Sequence, residues 1–335
     1  MIATSFSSLS RVGVVALLAM FAMSASSNHA DAAHPAKHSS HAGQKTKGKG
    51  HKHALHGPNY HPPYAAIVVD DNTSQVLHQE NIDEPRHPAS LTKIMTLYML
   101  FEQIDAGKLK LDSQLPVSEF AAGQHPTKLH LKPGSTIMVE DAIKGIVTRS
   151  ANDAAVVVAE AIGGSEDDFA KLMTAKAHAL GMVGTTYVNA SGLPADEQIT
   201  TARDQALLGR AIQDRFPIYY RYFSTVSFRF RGKDIHNHNA LLGQVEGVDG
   251  IKTGYTEASG YNLVVNLRRG DRHIVAVVLG GTSNAKRDAR MRELIDEYLP
   301  MASTRRTAPQ VTDGASTGRP VGFVTSAPAD VNAPR

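Results

Sequence analysis

Hydrophobic positions change period several times along the chain and mark out a patterned core between two polar ends. Residues 65–69 and 73–78 predict two short strands around the turn signal Asp70-Asp71-Asn72. Residues 89–106 carry Ile94, Met95, Leu97, Tyr98, Leu100 and Phe101, apolar nearly all round, which predicts a central buried helix closed by Gly107. Helical spacing returns over 139–147 and 153–162, the second run ended by Gly163-Gly164. Ser165-Glu-Asp-Asp168 is a capping start for a further helix reaching Leu180. Near-continuous apolar runs over 248–256, 260–268 and 273–281 predict three strands, and 285–299 predicts a last amphipathic helix. Strands, buried helix, helical middle, strands, helix: this order predicts an α/β (α+β) fold. Its antiparallel sheet is built from both ends of the core, flanked by helices, with a helical subdomain inserted.

Composition adds exclusions. The 335 residues contain no Cys, which removes disulfides, thiolate zinc sites, iron–sulfur clusters and cysteine nucleophiles. A formal charge of +3 invites an anionic partner such as nucleic acid, but the charge is unevenly distributed. Residues 1–63 are net +5 and residues 303–335 net +2, so the patterned part, 64–302, is net −4. That balance argues against nucleic acid.

The ends have their own logic. Residues 1–32 read as a secretory signal: Arg11, an apolar run of 14 residues from Val12 to Ala25, then Ala30-Asp31-Ala32. The run is shorter than the ~20 residues that span a bilayer. Residues 33–63 hold seven His and five Lys without an acid and are expected to be a disordered linker, a spacer rather than a metal site. Residues 303–335 are expected to be a disordered tail, leaving 64–302 as the folded domain. The chain is expected to be exported, and soluble or peripherally attached. Contact of the basic linker with anionic envelope polymers is a further expectation.

Three short motifs carry chemistry. Ser90-Leu-Thr-Lys93 opens the buried helix, and its spacing puts hydroxyl and amine on one face a turn apart. The lysine can take the serine proton only when neutral; lowering its pKa from ~10.4 to near 7 costs about 4 kcal/mol, which burial beside another cation can supply. Ser150-Ala-Asn152 sits in the joint between two predicted helices, where a turn can aim a hydroxyl and an amide outward, with Asp153 capping the next helix. Lys252-Thr-Gly254 lies in a predicted strand and supplies a cation, a donor and a place for close backbone approach. Each alone is common, and Ser283-Asn-Ala-Lys286 repeats the first. The order and spacing of all three form a constellation of serine acyl-transfer enzymes.

With these motifs the chain resembles the low-molecular-mass penicillin-binding proteins that are D-alanyl-D-alanine carboxypeptidases. Pro88-Ala-Ser-Leu-Thr-Lys-Ile-Met-Thr96, Lys132-Pro-Gly134, Asn189-Ala-Ser-Gly-Leu193, Thr201-Ala-Arg-Asp204, Asp249-Gly-Ile-Lys-Thr-Gly254 and Gly260-Tyr-Asn262 extend the likeness over about 60–300. The resemblance implies the penicillin-binding protein and serine β-lactamase fold and peptidoglycan stem peptides as substrate. It also implies β-lactams as covalent inhibitors and no cofactor or metal. It implies Ser90 as nucleophile, Lys93 as general base, Ser150 as proton relay and Asn152 as positioning group. Lys252 would hold the pKa of Lys93 down. Thr253 and Arg287 would bind the substrate carboxylate, and the N–H groups of Ser90 and Tyr255, beside Gly254, would form the oxyanion hole.

Two departures stand out. Tyr255 occupies a place where many relatives have His. The chain also ends in a polar tail where many relatives continue into a β-rich domain and an amphipathic anchor. A DD-endopeptidase cutting cross-links is the alternative reading. A class A-like β-lactamase is a weaker one, because no Glu begins an ExxLN segment. A non-catalytic wall-binding or metal-buffering role for the linker is the remaining rival.

Overall fold

The computed structural model describes residues 61–311 and 323–324. The expected signal and nearly all of the His/Lys linker lie outside the described residues. The first half of the chain runs β1 (Ala65–Asp70), β2 (Val76–Glu80), α1 (Thr92–Asp105), β3 (Gln114–Pro116), α2 (Glu119–Ala122), β4 (Thr136–Met138), α3 (Val139–Thr148), α4 (Asn152–Gly163) and α5 (Glu166–Ala179). The second runs α6 (Ala202–Arg215), α7 (Pro217–Tyr220), β5 (Ser227–Phe230), β6 (Lys233–His236), β7 (Val248–Thr256), β8 (Gly260–Arg269), β9 (Arg272–Gly281) and α8 (Asn284–Tyr298).

Five strands form one antiparallel sheet in the order β2-β1-β9-β8-β7, joining the two ends of the core as the pattern predicts. Alternation along the strands gives the sheet two apolar faces. Ile67, Val69, Val275 and Val277 join the cluster containing α1, α4 and α6; Ala66, Val68, Ala276 and Val278 join Met291, Leu294 and Ile295 of α8. Helix α1 is buried at eleven of its fourteen positions, which is why its sequence shows almost no polar face. Helices α2–α5 and the β3–β4 hairpin pack together as the inserted subdomain.

The structure departs from the pattern in instructive places. The expected helix over 89–106 begins as a 3-10 turn, Ala89–Leu91, because Ala89 adopts a left-handed φ of 48° and Thr92 Oγ1 donates to its carbonyl. The second strand starts at Val76 rather than 73, since Thr73 Oγ1 and the Asn72 N–H both bond the Asp70 carboxylate and prolong the turn. Helix α6 has no counterpart in the pattern reading; its buried Arg210 disguises a core helix as a polar one, and Asp71 and Ser74 satisfy that guanidinium. Asp153 does not cap α4 as expected. It lies inside the helix and accepts the N–H groups of Leu129 and Leu131 at 3.0 Å each, tying down a loop.

Residues 303–311, expected to open the disordered tail, make contacts with the folded part. Arg306 pairs with Asp214 at 2.6 Å and Asp71 at 3.4 Å, Val311 is buried, and Val324 bridges Gln75. The start of the expected tail is therefore packed on the core.

Candidate active site

The site is assembled where four segments meet: the α1 entry, the α3–α4 joint, the end of β7, and the loop 189–193. The left-handed Ala89 and the following 3-10 turn set Ser90 at the helix mouth, with Lys93 one turn further on and fully buried. Ser150 also adopts a left-handed φ, 58°, between α3 and α4. Such conformations cost of order 1–3 kcal/mol each in non-glycine residues, and the contacts around them must hold them in place. Two glycines allow the close approach. A Cβ on Gly192, at φ 82°, would stand 1.9 Å from the Ala89 carbonyl oxygen, and one on Gly254 would stand 3.0 Å from the Ser90 nitrogen. The loop and the strand can thus both lie against the nucleophile's backbone.

Lys93 Nζ stands 3.1 Å from Ser90 Oγ. It donates to Asn152 Oδ1 at 2.7 Å and, in a closer contact, to the Ser191 carbonyl. Both of those partners are pure acceptors. A neutral amine has two N–H bonds and one lone pair, so satisfying both acceptors leaves the lone pair for the serine hydroxyl. Asn152 is oriented in turn by donating through Nδ2 to the His125 carbonyl at 2.9 Å. Burial pushes the Lys93 amine well below its ordinary pKa, and the nearby Lys252 ammonium adds to the effect. Lys252 is itself lowered to about 7, by burial and then by Arg287. Its Nζ donates to the Thr253 carbonyl.

A cavity of about 550 Å³ opens on Ser90, Ser150, Asn152, Thr253, Gly254, Tyr255 and Arg287, so the structure gathers these seven expected residues around one space. Lys93 and Lys252 lie buried behind it. Ser150 Oγ is buried without a hydrogen-bond partner among the described residues. Arg287 is less free than expected: its guanidinium donates to Asp288 Oδ1 at 2.8 and 3.0 Å and to the Asn262 carbonyl. Tyr255 exposes its ring and sets it at a tilt of 31° against its cross-strand partner Tyr261, centroids 4.3 Å apart.

Three contributors were given no role in the sequence reading, although two of them lie in the matching stretches 189–193 and 260–262. Asn262 is fully buried; its Nδ2 donates to the His87 and Pro88 carbonyls and its Oδ1 accepts the Gly280 N–H, binding the nucleophile's approach to the sheet. A polar residue inside an apolar strand run was the available signal. The Ser191 carbonyl, which takes a proton of Lys93, is backbone and leaves no side-chain signature. His238 also lines the cavity, held down to about 4 by partial burial and then by Lys252, Arg149 and Lys93, and nothing in its neighbours marked it. Among the described residues no cluster of three or more His, Asp or Glu is placed to ligate a metal.

Comparison with known proteins places the chain in a family. The family model described as D-alanyl-D-alanine carboxypeptidase matches residues 54–283. The D-alanyl-D-alanine carboxypeptidase DacF of Bacillus subtilis is 31% identical over 282 residues, 81% of this chain and 72% of that one. DacA of Escherichia coli is 38% identical over 236 residues, 68% of this chain and 59% of that one, so this chain spans about three-fifths of that relative's length. Among solved structures, penicillin-binding protein D2 of Listeria monocytogenes in its ampicillin-bound form superposes with a TM-score of 0.61 at 31% identity, covering 69% of this chain and 95% of the other.

Proposed function

Because the chain belongs to the D-alanyl-D-alanine carboxypeptidase family of serine peptidases and has the penicillin-binding protein fold, we propose that it removes the terminal D-alanine of peptidoglycan stem pentapeptides through an acyl-enzyme on Ser90. The observation that carries this reading is the buried Lys93, its pKa pushed down by burial and its amine held against Ser90 Oγ by two acceptors.

Ser90 Oγ attacks the carbonyl between the last two D-alanines while its proton passes to Lys93. The oxyanion falls between the N–H groups of Ser90 and Tyr255, which Gly254 allows to converge; one such donor contributes about 10²–10³ in rate. The C–N bond then breaks, and the leaving amine takes a proton through Ser150, whose hydroxyl has no competing partner among the described residues. Water attacks the ester, Lys93 takes its proton, and Ser90 is regenerated. Thr253 and Arg287 hold the terminal carboxylate; that anion also favours the charged form of Lys252. Strand β7 is the sheet edge, so its outward backbone groups can pair with an extended peptide. β-Lactams enter the same path and stop at the acyl-enzyme, a reading supported by the ampicillin-bound Listeria structure. Residues 1–32 would direct export, and no helix among the described residues is long and apolar enough to cross a membrane.

Mass spectrometry after benzylpenicillin treatment should give one penicilloyl adduct, on Ser90, and Ser90→Ala should lose turnover on the order of 10⁶-fold. Purified muropeptides separate the activities. Free D-alanine from monomeric pentapeptides is expected, whereas cleavage confined to cross-linked dimers would make the enzyme an endopeptidase. Fast, repeated nitrocefin hydrolysis would make it a β-lactamase.

A further inference from the structure

The folded part is net −4 over 64–302, yet two of its segments run strongly the other way. Residues 123–135 and 221–240 together carry Lys128, Lys132, Arg221, Arg229, Arg231 and Lys233 against one acid, Asp234. Both segments border the cavity. Pro126 and Thr127 of the first line it, and the second delivers His238 to its wall two residues after β6 ends. The β5–β6 hairpin packs Phe228, Phe230 and Ile235 on the core and leaves Arg229, Arg231, Lys233 and His236 exposed. Its tip reaches the first segment, where Arg231 Nη1 donates to the His130 carbonyl at 3.4 Å. Arg149, exposed and next to Ser150, extends the same rim. Arg229 faces Asp234 at 3.9 Å, but among the described residues Lys132, Arg149, Arg231 and Lys233 have no carboxylate partner.

We infer that this cationic rim binds the carboxylates of stem peptides neighbouring the one being cut. The reading rests on the carboxypeptidase function. Every intact stem peptide ends in a carboxylate, and each cut exposes a new one, so a glycan strand bearing many stems is a row of anions. An acidic body with a basic border beside the cavity orients such a polymer toward it, and surface cations without carboxylate partners among the described residues raise its encounter rate and hold its flanks. Recognition would then have two parts: the cavity reads one D-Ala-D-Ala end, and the rim reads its neighbours.

The test compares a single soluble stem pentapeptide with un-cross-linked polymeric peptidoglycan, at low and high salt, for the native enzyme and for the variant carrying Arg229→Glu, Arg231→Glu and Lys233→Glu. The native enzyme should favour the polymer by about tenfold in kcat/KM at low salt, and lose that preference near 0.5 M salt. The variant should lose the preference at low salt while its kcat/KM on the single peptide moves less than twofold; an unaltered melting temperature checks its fold. Equal polymer activity in native and variant enzymes, or a preference insensitive to salt, would overturn the inference. Binding of Ser90→Ala to insoluble peptidoglycan, with and without the hairpin changes, reads the rim without catalysis. Retention by phosphate-rich wall polymer but not by peptidoglycan would also overturn it. If neither substrate releases D-alanine while hairpin-dependent binding persists, the carboxypeptidase reading fails and the rim does not.

Discussion

At the scale of single residues, the proposed chemistry requires the neutral form of one lysine beside a serine, and the site favours that form. Burial is the larger cause of the low Lys93 pKa and the Lys252 charge the second. Removing that cation by Lys252→Met should favour the charged form of Lys93 and raise its pKa. The acid limb of the acylation rate should therefore move to higher pH, a shift that Lys252→Arg should largely avoid. Stopped-flow acylation by a chromogenic β-lactam across pH reads this directly. Gly192→Ala tests the packing behind the nucleophile. Its new methyl meets the Ala89 carbonyl in a left-handed backbone, so both stability and acylation should fall, by about 2 kcal/mol or more in chemical denaturation.

At the scale of elements, the 3-10 turn Ala89–Leu91 and α1, which continues it, set Ser90 and Lys93 in a fixed relative geometry because α1 is buried over nearly its whole length. Helix α4 is tied to the cavity wall through Asp153, whose carboxylate satisfies two backbone N–H groups of the loop leading to Leu131. Asp153→Ala leaves both donors buried without that partner, a loss of about 1–3 kcal/mol for each unsatisfied group. The variant should show a lower melting temperature together with a higher KM, because Pro126 and Thr127 of the same loop line the cavity. Asn262 does the corresponding work for β8, joining the approach to Ser90 to the sheet.

At the scale of the whole molecule, a buried ionic cluster joins β1, α6, β9 and the segment beyond α8. Asp71 accepts from Arg210 at 2.6 Å and His273 at 2.9 Å, with Arg306 at 3.4 Å. Burial alone would raise its pKa, but the His273 and Arg210 contacts outweigh it and hold the carboxyl well below the usual range. A depressed carboxylate contributes stability above its unfolded pKa near 4 and loses it as pH falls toward the folded value. Urea stability of the native protein should drop on acidification below about pH 4, and Asp71→Asn should flatten part of that drop. At pH 7 the same variant should lose about 3–5 kcal/mol, because Arg210 is left buried without its partner. Truncation after residue 302 removes Arg306 from Asp214 and uncovers the place of Val311; the melting temperature should fall by about 5 °C.

Periodicity in the chain determined the three long strands, the α3–α4–α5 run and α8 to within one or two residues, and the buried α1 except for its first turn, because burial on both faces or all round writes itself into consecutive side chains. Motif spacing determined the candidate set Ser90, Lys93, Ser150, Asn152 and Lys252, since hydroxyl, amine and amide must occupy particular turns. The tertiary structure decided what spacing cannot express. Ser191, 98 residues from Lys93, supplies an acceptor through its backbone, which carries no residue-type signal. Arg210 made α6 look solvent-facing until its partner Asp71, 139 residues away, was in place. Arg287 turned out to be shared with its neighbour Asp288. Residues 303–311 looked compositionally like a free tail, yet a few ionic and apolar anchors suffice to pack them once Asp71 and Asp214 stand together. Local pattern reports how a segment meets water; which distant charge or carbonyl satisfies it is fixed only when the chain closes on itself.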